Sequence, residues 1–270
     1  MGDDCDLKGA NESAMLNAIL RNKAGREVGS DGSLNSIGDM LRHQEDIRTA
    51  TIFERLSYLP ASLMWKVLQR ATKTLPRFRI SEIASIEFWP SFISSEEGRS
   101  RAEPDVFIRW ELGDPKVRYD MIVEAKLPTT AQIQEQHEAQ LAAYYSEFSA
   151  DPREGTDAES DLADYVIYLC VDGLGANAQE EAMRLQPKLS DKMPPVRIAA
   201  CSWQDIANAV GYLQRSDTFD DVSTRLVRDL VDSLGFCGHR YFKIDNSVLD
   251  EEGPKQYRKT IKMLSKWNFE

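Results

Sequence analysis

The amino-acid sequence predicts an α/β fold, in which helices flank a central β-sheet. Three observations predict it: two helical patterns over residues 42–73, three strand patterns in a row over 82–125, and alternating helix and strand patterns after residue 128. Alternation of this kind is typical of a sheet that is covered by helices. The predicted order of elements is ααβββαβαβαα.

The first half of this order contains a helical pair and a strand meander. Apolar residues recur at helical spacing between Arg42 and Lys73, and Pro60 is placed to open the second helix. The predicted strands are EIASIEFW (82–89), DVFIRWEL (105–112) and VRYDMIVEA (117–125). The tripeptide GDP between the last two is a turn signal, so the three strands are expected to form an antiparallel meander.

The second half alternates between helix and strand. Residues 129–148 contain neither Gly nor Pro and carry apolar residues along one helical face, which predicts a helix. Further strands are predicted at 165–171 and 196–201, and further helices at about 176–186, 202–213 and 219–234. Ser202 is in position to cap the helix that it begins.

The pattern predicts a single domain over residues 41–270. Residues 1–40 mix Gly, Ser, Asn and Asp around one short apolar patch, so we expect a flexible N-terminal arm with a helix and a loop at 25–36. The segment 254–270 is basic and aromatic, which is typical of a packed terminal helix and also permits contact with a single nucleic-acid strand.

Charge and cysteine content limit the class of protein. The formal net charge is −11, which argues against nonspecific coating of nucleic acid, so any nucleic-acid contact is expected to be local. The cysteines, Cys5, Cys170, Cys201 and Cys237, lie far apart without a CxxC pair, which indicates a reducing, cytoplasmic setting. No apolar run approaches the length of a membrane-spanning helix, so we expect no membrane contact.

Charged residues stand at the ends of two predicted strands. Side chains alternate along a strand, so Glu124 and Lys126 point to the same face, and Asp105 lies across the hairpin from them. Two carboxylates that face each other repel unless a cation lies between them, and carboxylate oxygens suit Mg²⁺ or Mn²⁺. The sequence therefore predicts a divalent-metal site here, against the simpler interpretation of a solvated sheet edge.

The order of these residues resembles that of the PD-(D/E)XK nuclease superfamily. The pattern EPD, about twenty residues and then EAK at a strand end is followed by a helix whose QLAAY segment is similar to the QxxxY motif of the exonuclease-like branch. The resemblance covers roughly residues 42–171, which it implies are the core of the domain, and it implies that residues 172–270 are a C-terminal extension. It implies a restriction-endonuclease-like αβββαβ core with a mixed central sheet flanked by helices, extended by C-terminal β/α elements.

The resemblance also implies roles for individual residues. Asp105, Glu124 and an acid from the helix ahead of the sheet would hold one or two Mg²⁺ or Mn²⁺ ions. Lys126 would orient the attacking water or stabilise charge on the phosphate. Glu45 and Glu54 are the candidate helix acids, and Glu45 resembles the family position better.

Gln140 and Tyr144 are the candidate substrate-binding residues. With Gln132 and Gln136 they fall at fourfold spacing, which predicts a polar stripe opposite the apolar face and suited to a phosphate backbone. An ordinary polar helix face is the alternative interpretation. Six arginines near the strands are candidates for local phosphate contacts: Arg77, Arg79, Arg99, Arg101, Arg109 and Arg118.

These features predict a Mg²⁺-dependent nuclease that hydrolyses phosphodiester bonds, with DNA favoured over RNA. The alternative is a catalytically silent protein of the same fold that binds nucleic acid or a partner within a larger assembly, since one fold serves many functions. A homodimer or a protein partner is compatible with either function.

Overall fold

A computed structural model of the chain describes residues 26–28, 34–36, 44–78, 81–93, 101–127, 136–149, 161–174, 178–189, 194–216 and 219–241. Contacts divide the chain into two units, Met1–Arg240 and Tyr241–Glu270, and every element below lies in the first. Most of the predicted N-terminal arm and all of the segment 254–270 lie outside the described residues.

The described part of the chain contains nine strands and six α-helices. The strands, in chain order, are β1 (Arg26–Val28), β2 (Leu34–Ser36), β3 (Ser81–Phe88), β4 (Phe92–Ile93), β5 (Arg101–Ala102), β6 (Val106–Leu112), β7 (Val117–Ala125), β8 (Tyr165–Val171) and β9 (Val196–Cys201). The helices are α1 (Glu45–Ser57), α2 (Ala61–Thr72), α3 (Gln136–Phe148), α4 (Ala178–Leu185), α5 (Trp203–Ser216) and α6 (Asp221–Phe236).

Five strands form the central sheet in the order β3-β6-β7-β8-β9. The strands β3, β6 and β7 pair antiparallel, whereas β7, β8 and β9 pair parallel, so the sheet is mixed. The predicted α/β class and the antiparallel arrangement of the first three strands are therefore confirmed. The turn between β6 and β7 depends on Gly113, whose φ of 86° lies in the left-handed region that favours glycine.

Helices cover both faces of this sheet. On one face, α1, α2, α5 and α6 pack on alternate strand residues that include Met121, Val123 and Ala125. On the other face, α3 and α4 pack on residues that include Ile122 and Tyr168. The alternation predicted for 117–125 is thus confirmed, because odd and even positions of β7 contribute to different cores.

Two short hairpins differ from the predicted pattern. A loop is predicted at 25–36, but β1 and β2 pair antiparallel there, so that expectation is wrong for these two strands. A second antiparallel pair, β4 and β5, lies between β3 and β6, where no element is predicted. These strands are two or three residues long, which is too short to produce a periodic signal in the sequence.

The other elements lie close to their predicted positions. The helix predicted at 129–148 is described as Gln136–Phe148, and residues 128–135 lie outside the described part. Ser202 caps α5 as predicted: its Oγ accepts from the Asp205 N–H at 3.0 Å, and the Asp205 carboxylate accepts from the Ser202 N–H at 2.9 Å. Among the described helices, none is long and apolar enough to cross a membrane.

Candidate active site

The predicted charged residues meet at the carboxyl end of β7. Glu124 lies one residue before the end of this strand, Lys126 follows it, and Asp105 directly precedes β6. The register of β6 and β7 places Asp105 opposite Glu124. One Asp105 oxygen, Oδ2, accepts a hydrogen bond from the Ala125 N–H at 2.7 Å. The hairpin therefore brings the two carboxylates together, as the sequence predicts.

Of the two candidate helix acids, Glu45 is the one that reaches this site, and it is the first residue of α1. The Lys126 ammonium donates to Glu45 Oε1 at 2.9 Å and to Glu124 Oε1 at 2.7 Å. The Leu127 N–H donates to the other Glu45 oxygen at 3.0 Å. The other candidate, Glu54, lies further along α1 and accepts instead from a tyrosine hydroxyl at the end of the same helix. Packing thus brings Glu45 to Lys126.

Gln140 of α3 holds the second oxygen of Glu124. Its amide Nε2 donates to Glu124 Oε2 at 2.7 Å, and its Oε1 accepts from the Tyr168 hydroxyl at 2.6 Å. Both ends of the amide are engaged, so the orientation of Gln140 is determined by its partners. Glu124 is only 3% exposed and has Lys126 on one oxygen and Gln140 on the other, which leaves its carboxylate little freedom to rotate.

Tyr144 anchors α3 to a different buried carboxylate. Its hydroxyl donates to Asp120 Oδ2 at 2.8 Å, and Arg109 donates from Nε and Nη2 to the two Asp120 oxygens at 3.0 Å. Asp120 and Tyr144 are both fully buried. In this structure Tyr144 and Gln140 therefore contact protein groups, and contact of either residue with a substrate stays a prediction.

The polar stripe predicted along this helix is wrong. Gln140 is 6% exposed and Tyr144 is fully buried, so both face the sheet with the apolar Leu141. Gln136 is exposed, and Gln132 lies outside the described residues. The reason is that polar side chains of the sheet lie beneath the helix and satisfy the amide and the phenol. Periodicity alone assigns polar residues to solvent and cannot show such buried partners.

Two of the predicted phosphate-binding arginines are engaged by carboxylates. Arg109 contacts Asp161 at 2.5 Å in addition to Asp120, and Arg118 contacts Asp161 at 2.8 Å. Arg77 is exposed, and the side chains of the other three lie outside the described residues. Phosphate contact by Arg109 or Arg118 would have to compete with these ion pairs. Arg77 precedes β3 at the end that pairs with Leu112, which is the opposite end of the sheet from Asp105.

Sequence reasoning missed two residues that hold the site in place. One is Tyr168, which positions Gln140 and lies on the same side of β8 as the residue paired with Glu124. Strand alternation within YVIYLCV is a signal that could have found it. The other is Trp203, whose indole Nε1 donates to the Lys126 carbonyl at 2.8 Å and whose ring packs 6.4 Å from that of Phe53. Its role depends on how α5 packs, which leaves no local signal.

Burial and like charge raise the pKa of Asp105 to about 7. Burial disfavours the charged form, and the Glu124 carboxylate adds repulsion, against which the Ala125 N–H and the Lys126 ammonium act. For Lys126, burial opposes the charge, but hydrogen bonds to Glu124 and Glu45 outweigh burial and raise its pKa above the usual value. Lys126 therefore stays protonated. Its single positive charge is not enough to offset the repulsion between the Asp105 and Glu124 carboxylates.

The chemistry of these donors fits Mg²⁺ or Mn²⁺. Asp105, Glu124 and Glu45 offer hard carboxylate oxygens, and repulsion between Asp105 and Glu124 is what a divalent cation relieves. Within the described ranges, no cluster of three or more His, Cys, Asp or Glu side chains has the arrangement of a metal-binding group. Mg²⁺ commonly uses one or two protein carboxylates and keeps several waters, so a pair such as Asp105 and Glu124 could hold it.

A metal-free sample tests the ionisation of Asp105. Its pKa is about 7 in the folded protein, against an ordinary value of 3.8, so the folded state binds this proton more tightly than the unfolded chain. The stabilisation from this proton is complete below about pH 4 and is lost as the pH rises to about 7. Asp105→Asn, which cannot ionise, should therefore be more stable than the wild type by about 2 kcal/mol at pH 8 in EDTA, with a smaller difference at pH 5.

Thermal unfolding at these two pH values measures the difference. Glu87→Gln is a suitable control, because it makes the same kind of substitution at an exposed acid on β3. A wild type that is as stable as Asp105→Asn at pH 8, or more stable, would show that the Asp105 carboxyl is not a source of repulsion in the metal-free protein.

Comparison with known proteins gives a partial match to a protein of unknown function. No protein-family model matches the chain, and no solved structure matches it significantly. Over 130 residues the chain is 34% identical to an uncharacterized protein of Pasteurella multocida (strain Pm70), and the match covers 47% of this chain and 44% of that protein. The chain thus spans less than half the length of this relative.

Proposed function

We propose that this protein is a metal-dependent nuclease of the PD-(D/E)XK type with a restriction-endonuclease-like fold. The observation that carries the proposal is the convergence of Glu45, Asp105, Glu124 and Lys126, which come from α1, the start of β6 and the end of β7. Apart from α2 and the β4–β5 hairpin, the order α1, β3, β6, β7, α3, β8 follows the αβββαβ core of that superfamily and supports the proposal.

Asp105, Glu124 and Glu45 would hold Mg²⁺ or Mn²⁺. When bound, such an ion polarises the scissile phosphate, lowers the pKa of an attacking water and offsets the charge that develops on the phosphate. Gln140 aims Glu124, and the Ala125 N–H aims Asp105, so both carboxylates keep their direction when a substrate arrives. Orientation of the ligands by a second layer of hydrogen bonds is characteristic of metal sites.

Lys126 supplies a positive charge close to the reacting phosphate. Its ammonium lies 2.9 Å from Glu45 and 2.7 Å from Glu124, and these hydrogen bonds favour the protonated form. An ammonium has three N–H groups, so one remains beyond these two contacts. That group can donate to the attacking water or to a phosphate oxygen, and Lys126 can do so without leaving either carboxylate.

DNA is the favoured substrate over RNA, on the resemblance to nucleases of this type. The net charge of −11 requires that contacts with the phosphate backbone be concentrated near the site. A divalent ion held by Asp105, Glu124 and Glu45 would supply part of that attraction, because it would add positive charge at the site.

A catalytically silent protein that binds nucleic acid or a partner is the second candidate. The bridge formed by Lys126 favours it, because an ammonium between Glu45 and Glu124 neutralises charge that a metal ion would otherwise neutralise. The bridge would then fasten the start of α1 to the end of β7 and serve stability alone. The two candidates differ in whether a divalent ion binds beside Asp105 and Glu124.

Cleavage by purified protein tests the proposal. The substrates are linear, nicked and circular duplex DNA, single-stranded DNA and RNA, each incubated with Mg²⁺, Mn²⁺ or EDTA. We expect cleavage with either metal and none in EDTA, and we expect Asp105→Ala to abolish it. Failure of clean wild-type protein to cut any substrate would favour the silent candidate, and cleavage that survives in Asp105→Ala would refute the assignment of the site.

A further inference from the structure

Trp89 is an exposed aromatic residue beside the candidate active site. It directly follows β3, and its N–H donates to the Asp105 carbonyl at 3.0 Å. Because β3 pairs with β6 and β6 pairs with β7, Trp89, Asp105 and Glu124 lie in a row across three strands. Neighbouring strands are about 4.8 Å apart, so the Trp89 backbone lies roughly 10 Å from that of Glu124.

The backbone of Trp89 has a conformation that suits glycine and not tryptophan. Its φ is 49°, in the left-handed region, and the next residue is Pro90, which restricts the residue before it further. Strain of this kind in a bulky residue is concentrated at functional sites. The indole is 40% exposed, so burial of the ring does not explain why a tryptophan occupies this position.

Other exposed aromatic residues in the described ranges have partners that account for them. The hydroxyl of Tyr58 donates to Glu54 at 2.7 Å, the ring of Tyr165 stacks on Tyr119 at 4.9 Å, and the ring of Tyr212 lies 3.3 Å from the Arg70 guanidinium. Trp89 differs from them in its contact with Phe88. The two ring centroids are 6.0 Å apart, and the ring planes are inclined by 51°. A tilted contact at this distance leaves much of the indole face available to a ligand.

We infer that Trp89 is a stacking platform for an unpaired nucleobase adjacent to the scissile phosphate. This inference rests on the proposed function, and it specifies the substrate class as single-stranded nucleic acid or an unpaired end. An indole face stacks on any base, because every base presents a π-face. Bases inside a duplex are already stacked on their neighbours, so an aromatic platform next to Asp105 binds only bases that are free of a duplex.

Binding to labelled oligonucleotides tests this inference separately from cleavage. Fluorescence anisotropy is measured with oligothymidylate and oligouridylate of about 15 nucleotides, an abasic strand of equal length and a blunt duplex. Ca²⁺ replaces Mg²⁺ as an oxygen-ligated divalent ion, and a gel verifies that each probe stays intact. The proteins are the wild type, Trp89→Gly, Trp89→Phe and the control Tyr58→Ala, which removes an exposed aromatic at the other end of α1 from Glu45.

Trp89→Gly should bind a base-containing single strand about tenfold more weakly than the wild type, whereas Trp89→Phe should retain part of the affinity. Tyr58→Ala should bind like the wild type. The abasic strand and the duplex should not distinguish Trp89→Gly from the wild type, because neither offers an unpaired base. Trp89→Gly should also unfold at the same temperature as the wild type or a higher one, since glycine adopts this backbone conformation without strain.

Each outcome separates the inference from the proposed function. Equal affinity of Trp89→Gly and the wild type for both base-containing strands would overturn the inference even if the wild type cleaves DNA. An equal loss on the abasic strand would overturn it as well. A loss confined to base-containing strands supports it, and the strand that shows the loss, DNA or RNA, identifies the substrate. If the wild type cleaves no nucleic acid but Trp89→Gly still binds base-containing strands more weakly than the wild type, stacking is supported and the nuclease function is refuted.

Discussion

Lys126→Met should slow metal-dependent phosphodiester cleavage by about 100-fold or more. Methionine keeps most of the length of the side chain but removes the ammonium that lies between Glu45 and Glu124. In the proposed function, the remaining N–H of that ammonium donates to the water or the phosphate, so its loss should act on the transition state. The rate is measured with end-labelled DNA at saturating Mg²⁺ and saturating DNA, so that kcat is separated from substrate affinity.

Lys116→Met is a matched control for this substitution. Lys116 also lies between two carboxylates, at 2.6 Å from Glu82 and 2.8 Å from Glu111, but it is 48% exposed and stands at the opposite end of the β6–β7 hairpin. Its replacement should leave the cleavage rate unchanged. Circular dichroism verifies that each variant is folded, and Lys126→Arg keeps the positive charge if the methionine variant unfolds. Wild-type rates in a folded Lys126→Met would exclude a catalytic role for the ammonium.

Asp120→Asn should lower the free energy of unfolding by about 3 kcal/mol. The Asp120 carboxylate is fully buried and accepts from Arg109 on both oxygens and from Tyr144 on one of them. An asparagine has nearly the same shape, but its NH₂ group would face a hydrogen-bond donor. It is also neutral, so the negative charge that compensates Arg109 is lost. Urea denaturation monitored by tryptophan fluorescence measures the change.

Asp161→Asn is the corresponding control, because Asp161 contacts the same guanidinium at 2.5 Å from a side chain that is 54% exposed. An exposed ion pair contributes little in water, so this variant should lose less than about 1 kcal/mol. Equal losses in the two variants would show that the Asp120 network has no special weight in the fold. A large loss in Asp120→Asn alone would establish it as the anchor of α3, the helix that carries Gln140.

The strands of this protein and part of its site follow from local sequence. Alternation along β7 is a property of extended backbone, so Glu124 and Lys126 share a face wherever the strand lies. A short turn after β6 then forces antiparallel pairing, which brings Asp105 opposite Glu124. Their chemistry, two carboxylates and an ammonium, is likewise readable from residue type, and it is the reason that a metal site could be predicted.

The direction in which α3 faces was not predictable from periodicity. Gln140 and Tyr144 are polar, and a polar residue on a helix is normally assigned to solvent. They are buried because Glu124 and Asp120 offer acceptors at 2.7 and 2.8 Å from the other side of the interface. A hydrogen bond supplied by a distant segment offsets the cost of burial, and that information is absent from the helix itself.

By itself, the sequence determined the α/β class, the antiparallel strands and the placement of Asp105, Glu124 and Lys126 at one end of a hairpin, because these depend on short-range geometry. Only the tertiary structure decided that Glu45 and not Glu54 reaches Lys126, across 81 residues of chain, and that Gln140 faces Glu124. It also placed Trp89 against Asp105. The physical reason is that helix packing on the sheet is set by the summed burial of many side chains, which no single segment encodes.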